Sequence, residues 1–199
     1  MKTATLVILA VVALTASAVC ATPTVTTYTP STPDLNDLPY GSYTVWGMST
    51  TFATGSIASA TLNFKNIYNW DDSPNKLYIH LLDNPALGIK TFSDTDNGLD
   101  PMSGQGILLT MYQNLPDTPQ DLSYSFTPSE LSTLQTYAAS GNEFGLGFGP
   151  ECHFFNDGVS LVITTTSPAP EPATCGLLAV GGVIAFFKRR NKLARRIYA

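Results

Sequence analysis

Ser59-Ala60-Thr61-Leu62-Asn63-Phe64-Lys65-Asn66-Ile67 decides the fold class. Ala60, Leu62 and Phe64 alternate with Thr61, Asn63 and Lys65. A period of two puts one apolar and one polar face on an extended chain, the pattern of a half-buried antiparallel strand. Two further stretches repeat it. Leu122, Tyr124 and Phe126 alternate with Asp121, Ser123 and Ser125, and Val159, Leu161 and Ile163 share a face in Val159 to Thr164. Residues 42–52, 76–82 and 105–112 are β-rich runs. Turn signals stand between them: Asp72-Ser73-Pro74-Asn75, Asn97-Gly98 and Asn156-Asp157-Gly158. The expected class is all-β, an antiparallel sandwich or jelly-roll-like body over residues 42–165.

Thr127-Pro128-Ser129-Glu130 interrupts the strands with a capping box and proline at the first helical position. Leu131, Leu134 and Ala138 then share a helical face and Gly141 ends it, which predicts one short helix capping the sandwich. In Glu143 to Gly149, Phe144, Leu146 and Phe148 alternate with Gly145, Gly147 and Gly149. One face of that strand is apolar and the other bare backbone, open to close approach by a packed neighbour or a ligand. Residues 22–41 are rich in Thr and Pro and read as a leader or an edge segment.

Charge is distributed unevenly. The 199 residues carry 10 Lys and Arg against 15 Asp and Glu, and charged residues are only 13% of the chain. That poverty argues against a disordered polyelectrolyte, a coiled coil and a nucleic-acid binder. Between Ala21 and Pro172, three lysines face all fifteen carboxylates, a net −12, while six cations fall in the last twelve residues.

Both ends read as targeting segments. Lys2 is followed by nine apolar residues, Leu6 to Leu14, and by Ala16-Ser17-Ala18. This is the layout of a secretory signal peptide, residues 1–21, with cleavage after Ala18 or Ala21. At the other end a proline-rich linker, residues 166–172, precedes an uncharged stretch from Ala173 to Phe187 and a basic tail, residues 188–199. Fifteen residues reach about 22 Å as a helix against a hydrocarbon core of about 30 Å, a shortfall that snorkelling cations and local thinning reduce. A single transmembrane helix over 173–187 is expected, with the tail cytoplasmic and the acidic body outside.

Pro170-Glu171-Pro172, an apolar stretch of this length and the cluster Lys188-Arg189-Arg190 together resemble the PEP-CTERM sorting signal of Gram-negative bacteria. The likeness covers about the last thirty residues. Ala169 stands where the family more often has Val, and nine residues follow Arg190. The resemblance implies recognition by exosortase and removal of the tail. It also implies export through the Sec pathway, an inner-membrane intermediate, and delivery to the cell surface or an exopolysaccharide matrix. It says nothing of the body.

Candidate chemistry in the body is sparse. Cys20, Cys152 and Cys175 are too few for a disulfide scaffold. Cys152 reads as a buried small side chain, with pairing to Cys20 as the alternative. His80 and His153 lack zinc-ligand spacing, and no Gly-x-Ser-x-Gly elbow is present. Asp94-Thr95-Asp96-Asn97-Gly98-Leu99-Asp100 gathers oxygens suited to Ca²⁺, with Asp94, Asp96, Asn97 and Asp100 as candidate ligands, but its glycine falls one place early for an EF-hand. Tyr68, Trp70 and Asp71 combine rings that can stack on a pyranose with a carboxylate for its hydroxyls. The expected function is a non-catalytic surface or matrix protein associated with exopolysaccharide, with no resident cofactor. The alternatives are a carbohydrate-binding module and a secreted glycosidase-type hydrolase. Calcium is tested by thermal melting. An ion held by the native state alone raises the melting temperature of the wild type and not of Asp96→Ala. Identical shifts of both proteins in millimolar Ca²⁺ exclude the loop as the site.

Overall fold

A computed structural model describes residues 22–32, 34–35, 37–52, 56–70, 75–95, 99–139 and 143–166. The signal segment, the linker beyond Thr166, the apolar stretch and the basic tail lie outside the described residues. The chain forms β1 (Pro23–Tyr28), β2 (Ser42–Met48), β3 (Ser56–Asn69), β4 (Lys76–Asp83), β5 (Gly88–Ser93), β6 (Ile107–Gln113) and β7 (Gln120–Ser125). The helix α1 (Pro128–Ala139) follows, then β8 (Phe144–Pro150), β9 (Phe154–Phe155) and β10 (Gly158–Thr166). The body is all-β apart from that helix, as expected. No helix among the described residues is long and apolar enough to cross a membrane.

The strands make two antiparallel sheets. One has the order β1-β10-β3-β7, with β9 on the far end of β3, and the other β5-β2-β8-β4-β6. The period-two faces found in the sequence are the inner faces. Ala60, Leu62 and Phe64 of β3 and Val159, Leu161 and Ile163 of β10 are buried in the core that also holds Leu77, Ile79 and Leu81 of β4. Phe64 meets Phe148 of β8 edge-on, ring centres 5.9 Å apart, and Tyr28 meets Phe144 in the same way at 5.5 Å. Such contacts add to burial that stabilises by about 1.5–3 kcal/mol for each enclosed large apolar side chain.

The leader is a structural edge. β1 pairs along its length with β10, Pro23 opposite Thr166 and Tyr28 opposite Leu161, and Leu35 and Leu38 are buried in the core. The folded unit therefore starts at Thr22, not at residue 42. Its side chains left little trace in the sequence because an edge strand is held by backbone hydrogen bonds and can be threonine-rich on both faces.

The capping box forms as expected. The Thr127 N–H donates to Glu130 Oε2 at 2.6 Å, and the Glu130 N–H approaches Thr127 Oγ1 at 3.4 Å. Leu134 and Ala138 are buried, Leu131 packs beside them, and Gln135 Oε1 accepts the Ile57 N–H at 2.8 Å. Glu130 itself is buried, and Tyr124 places its hydroxyl 2.8 Å from Glu130 Oε1 and 2.7 Å from the Leu109 carbonyl. The helix start is thus tied to both sheets. Burial first, and the Glu130 carboxylate second, push the Tyr124 phenol well above the ordinary tyrosine range. A raised folded-state value means the neutral phenol favours the native state. That contribution is complete below about pH 10 and lost as pH climbs through the folded value. Urea unfolding from about pH 9 to 12 should show a loss of stability that is shallower in Tyr124→Phe than in the wild type.

Candidate functional site

Two exposed aromatic regions and one latched loop stand out on the surface of the sandwich. The first region depends on a bulge. The 60-62-64 alternation, if continued, would turn Tyr68 and Trp70 into the core. The pairing of β3 with β7 shifts between Phe64 and Ile67, and Asn66 sits in the left-handed region at φ 49°. Two carboxylates hold it there. The Asn66 N–H donates to Asp121 Oδ1 at 2.9 Å and its side-chain amide to Asp157 Oδ2 at 2.7 Å. Beyond the bulge Ile67 and Asn69 are buried, and Tyr68 and Trp70 face out.

β9 runs beside this end of β3, with Tyr68 opposite Phe155. Their rings lie 5.7 Å apart, and Trp70, 52% exposed, lies 4.5 Å from the His153 ring. The expected sugar-contact residues Tyr68 and Trp70 are therefore together, joined by His153 and Phe155. Asp71 lies outside the described residues. Neighbouring Cys152 points the other way, buried, its thiol donating to Asn69 Oδ1 at 3.2 Å.

The second region lies on the outer face of the other sheet. β8 is buried at every position. Its Phe144, Leu146 and Phe148 fill the core, Gly147 and Gly149 lie under the segment that follows Asp100, and Gly145 lies under Pro85. A Cβ on Gly149 would stand 2.7 Å from Pro101 Cγ, and one on Gly147 would run into Met102 Sδ. Packing, not a ligand, occupies the bare face. The covering loop is latched by His80 of β4, a buried residue whose Nδ1 lies 3.0 Å from the Gln105 carbonyl and Nε2 2.8 Å from Asp100 Oδ2. Asp100 Oδ1 accepts the Met102 N–H at 3.0 Å.

The latch bears on the expected calcium ligands. Asp100 turns both carboxylate oxygens to protein donors, and the Asp94 N–H binds the Gly41 carbonyl at 2.9 Å. Asp96 and Asn97 lie outside the described residues. Among the described residues no group of three or more His, Cys, Asp or Glu side chains could hold a metal ion.

Beside the covering loop lies a cleft of about 460 Å³. Tyr43 of β2 and Phe92 of β5 line it, stacked 5.1 Å apart and 20° from parallel, together with Lys90, Asp83, Gln105 and Tyr137. Tyr43 pairs with Phe92 and Val45 with Lys90 across the β2–β5 ladder, which aligns these four side chains on one face. Burial, and then the Asp83 carboxylate, raise the Tyr137 phenol above its ordinary value. The sequence reading missed this cleft. Its residues come from β2, β5, the end of β4, the covering loop and the helix, and no short motif links them.

No family model matches the chain, and no curated protein does. Among solved structures, recombinantly expressed latent aurone synthase (polyphenol oxidase) aligns at 10% identity and a TM-score of 0.37, over 68% of this chain and 26% of that one. The same protein from natural source aligns at 9% identity and 0.36 over 67% and 26%. The chain spans about a quarter of the length of these structures, and likeness at this level carries no argument for function.

The latch predicts a measurable cost. Asp100→Ala leaves the buried imidazole without one partner and frees the covering loop, so it should lower the unfolding free energy by about 1–3 kcal/mol. Urea unfolding measures the loss. Hydrogen exchange should quicken at the amides of Met102 and Gln105, and unchanged exchange there would show that His80 does not hold the loop.

Proposed function

We propose that this chain is an exported, non-catalytic surface or extracellular-matrix protein, delivered by a PEP-CTERM-type tail and associated with exopolysaccharide. The observation that carries the reading is the ordered tail: Pro170-Glu171-Pro172, the uncharged stretch 173–187, then Lys188-Arg189-Arg190. In this reading a Sec signal over residues 1–21 starts export, the apolar stretch holds an inner-membrane intermediate, and exosortase removes the tail. The net −12 between Ala21 and Pro172 and the six cations of the tail agree with opposite sides of a membrane.

The strand order supports a jelly roll as the finer class of the body. With β5 and β9 set aside, the orders β1-β10-β3-β7 and β2-β8-β4-β6 are those of two interlocked Greek keys. A second reading, a carbohydrate-binding module, is favoured by the exposed Trp70 ring beside the half-buried Tyr68 and by the aromatic cleft at Tyr43 and Phe92. A glycosidase-type hydrolase has less support, since Asp121, Asp157, Glu130 and Asp100 are engaged in the bulge, the helix cap and the latch.

Intact-mass analysis of the exported protein tests the tail. In exosortase-positive cells the mature form should lack both the signal segment and residues 173–199. In a strain without exosortase the tail should remain. A mature protein that keeps 173–199 in both strains sinks the sorting claim.

A further inference from the structure

We propose that the cleft between β2, β5, the covering loop and the helix is a saccharide site for a neutral pyranose chain. The proposal rests on the reading that the body meets exopolysaccharide, and names where and which kind.

The cleft has the size and lining such a ligand needs. Its volume of about 460 Å³ falls within the about 300–1,000 Å³ usual for small-ligand sites. Phe92 is 45% exposed although it sits against Tyr43, so an apolar ring is held in place and still open to a partner. A pyranose offers a C–H face to such a ring and hydroxyls at its edge. Hydroxyls need donors and acceptors together, and the cleft supplies both: the Lys90 ammonium, the Asp83 carboxylate and the Gln105 amide. Among the described residues no hydrogen bond or ion pair engages those three side-chain groups. The scaffold around them is fixed by ladder pairing on one side and by the His80–Asp100 latch on the other, which positions Gln105 through its own carbonyl. The backbone of the site is thus set before binding, and the ordering left to pay is that of the Lys90 and Gln105 side chains.

Charge selects the neutral class. Lys90 is one of only three cations between Ala21 and Pro172 against fifteen carboxylates, and Asp83 stands in the same cleft. A polyuronate approaching this surface meets a repulsive field, strongest at low salt. A neutral hexose or pentose polymer does not, and can use Lys90 and Asp83 as hydrogen-bonding partners of opposite sense. The rings of Tyr68, Trp70, His153 and Phe155 form a second aromatic row, which the test carries as the rival site.

The test is isothermal titration of the full chain, held in a non-ionic detergent without a sugar headgroup. The probes are linear oligosaccharides of glucose, mannose, galactose and xylose, with an oligogalacturonate of equal length as the anionic arm. The wild type should bind at least one neutral probe saturably and the oligogalacturonate more weakly, the gap widening as salt falls. Phe92→Ala should weaken that binding about tenfold or more, as loss of a central ring contact does, and Lys90→Ala should weaken it as well. Both side chains are exposed, so circular dichroism and melting should match the wild type. Trp70→Ala should bind as the wild type does. Loss of binding in Trp70→Ala with Phe92→Ala unaffected would overturn the cleft and leave the polysaccharide reading standing. Preference for the oligogalacturonate would overturn the neutral class. No saturable binding of any probe by the wild type would overturn the cleft and the polysaccharide reading together, without touching the processing of the tail.

Discussion

Burial of β8 on both faces is the constraint from which the rest of the body follows. Phe144, Leu146 and Phe148 need a core on one side, and Gly145, Gly147 and Gly149 allow a cover on the other. Any side chain at Gly147 would occupy the place of Met102, which is itself fully buried. The central strand of the second sheet is therefore sandwiched between an apolar interior and a loop at backbone distance. Such close packing leaves the outer face of that sheet its relief: covered over β8 and most of β2, open over β5.

The same cover links stability to the surface. His80 is buried next to the glycine strand and reaches out to both ends of the Asp100 to Gln105 turn. That turn forms one wall of the cleft, and the β2–β5 ladder forms another. A polar residue on a strand thus anchors a loop. On the opposite sheet, Asp121 and Asp157 act in the same spirit, holding Asn66 in the left-handed region and so turning the strand over. Several carboxylates of this acidic body are geometric parts.

The helix repeats the pattern at a third place. A capping box read from four residues becomes, in the fold, a joint between layers, because Glu130 also meets the Tyr124 hydroxyl, which reaches the Leu109 carbonyl. Tyr124 belongs to the first sheet and Leu109 to the second. A local helix signal therefore carries a long-range contact that no local pattern specifies.

What the sequence determined by itself is what local physics writes in short windows. Period-two alternation fixed the strands at 59–64, 121–126 and 159–164 and their inward faces, since a one-residue slip would expose a whole apolar set. The Thr127 to Glu130 motif fixed the helix start. Tertiary structure decided what windows cannot hold. It made an edge strand of Pro23–Tyr28, whose threonines pair through backbone groups that every sequence has. It turned Tyr68 and Trp70 outward by a bulge that depends on Asp121 and Asp157, 55 and 91 residues away from Asn66. It paired Asp100 with His80, a partner twenty residues back that no short window shows. It assembled the cleft from Tyr43, Asp83, Lys90, Phe92, Gln105 and Tyr137, residues spread over 94 positions and brought together only when two antiparallel sheets close on one core.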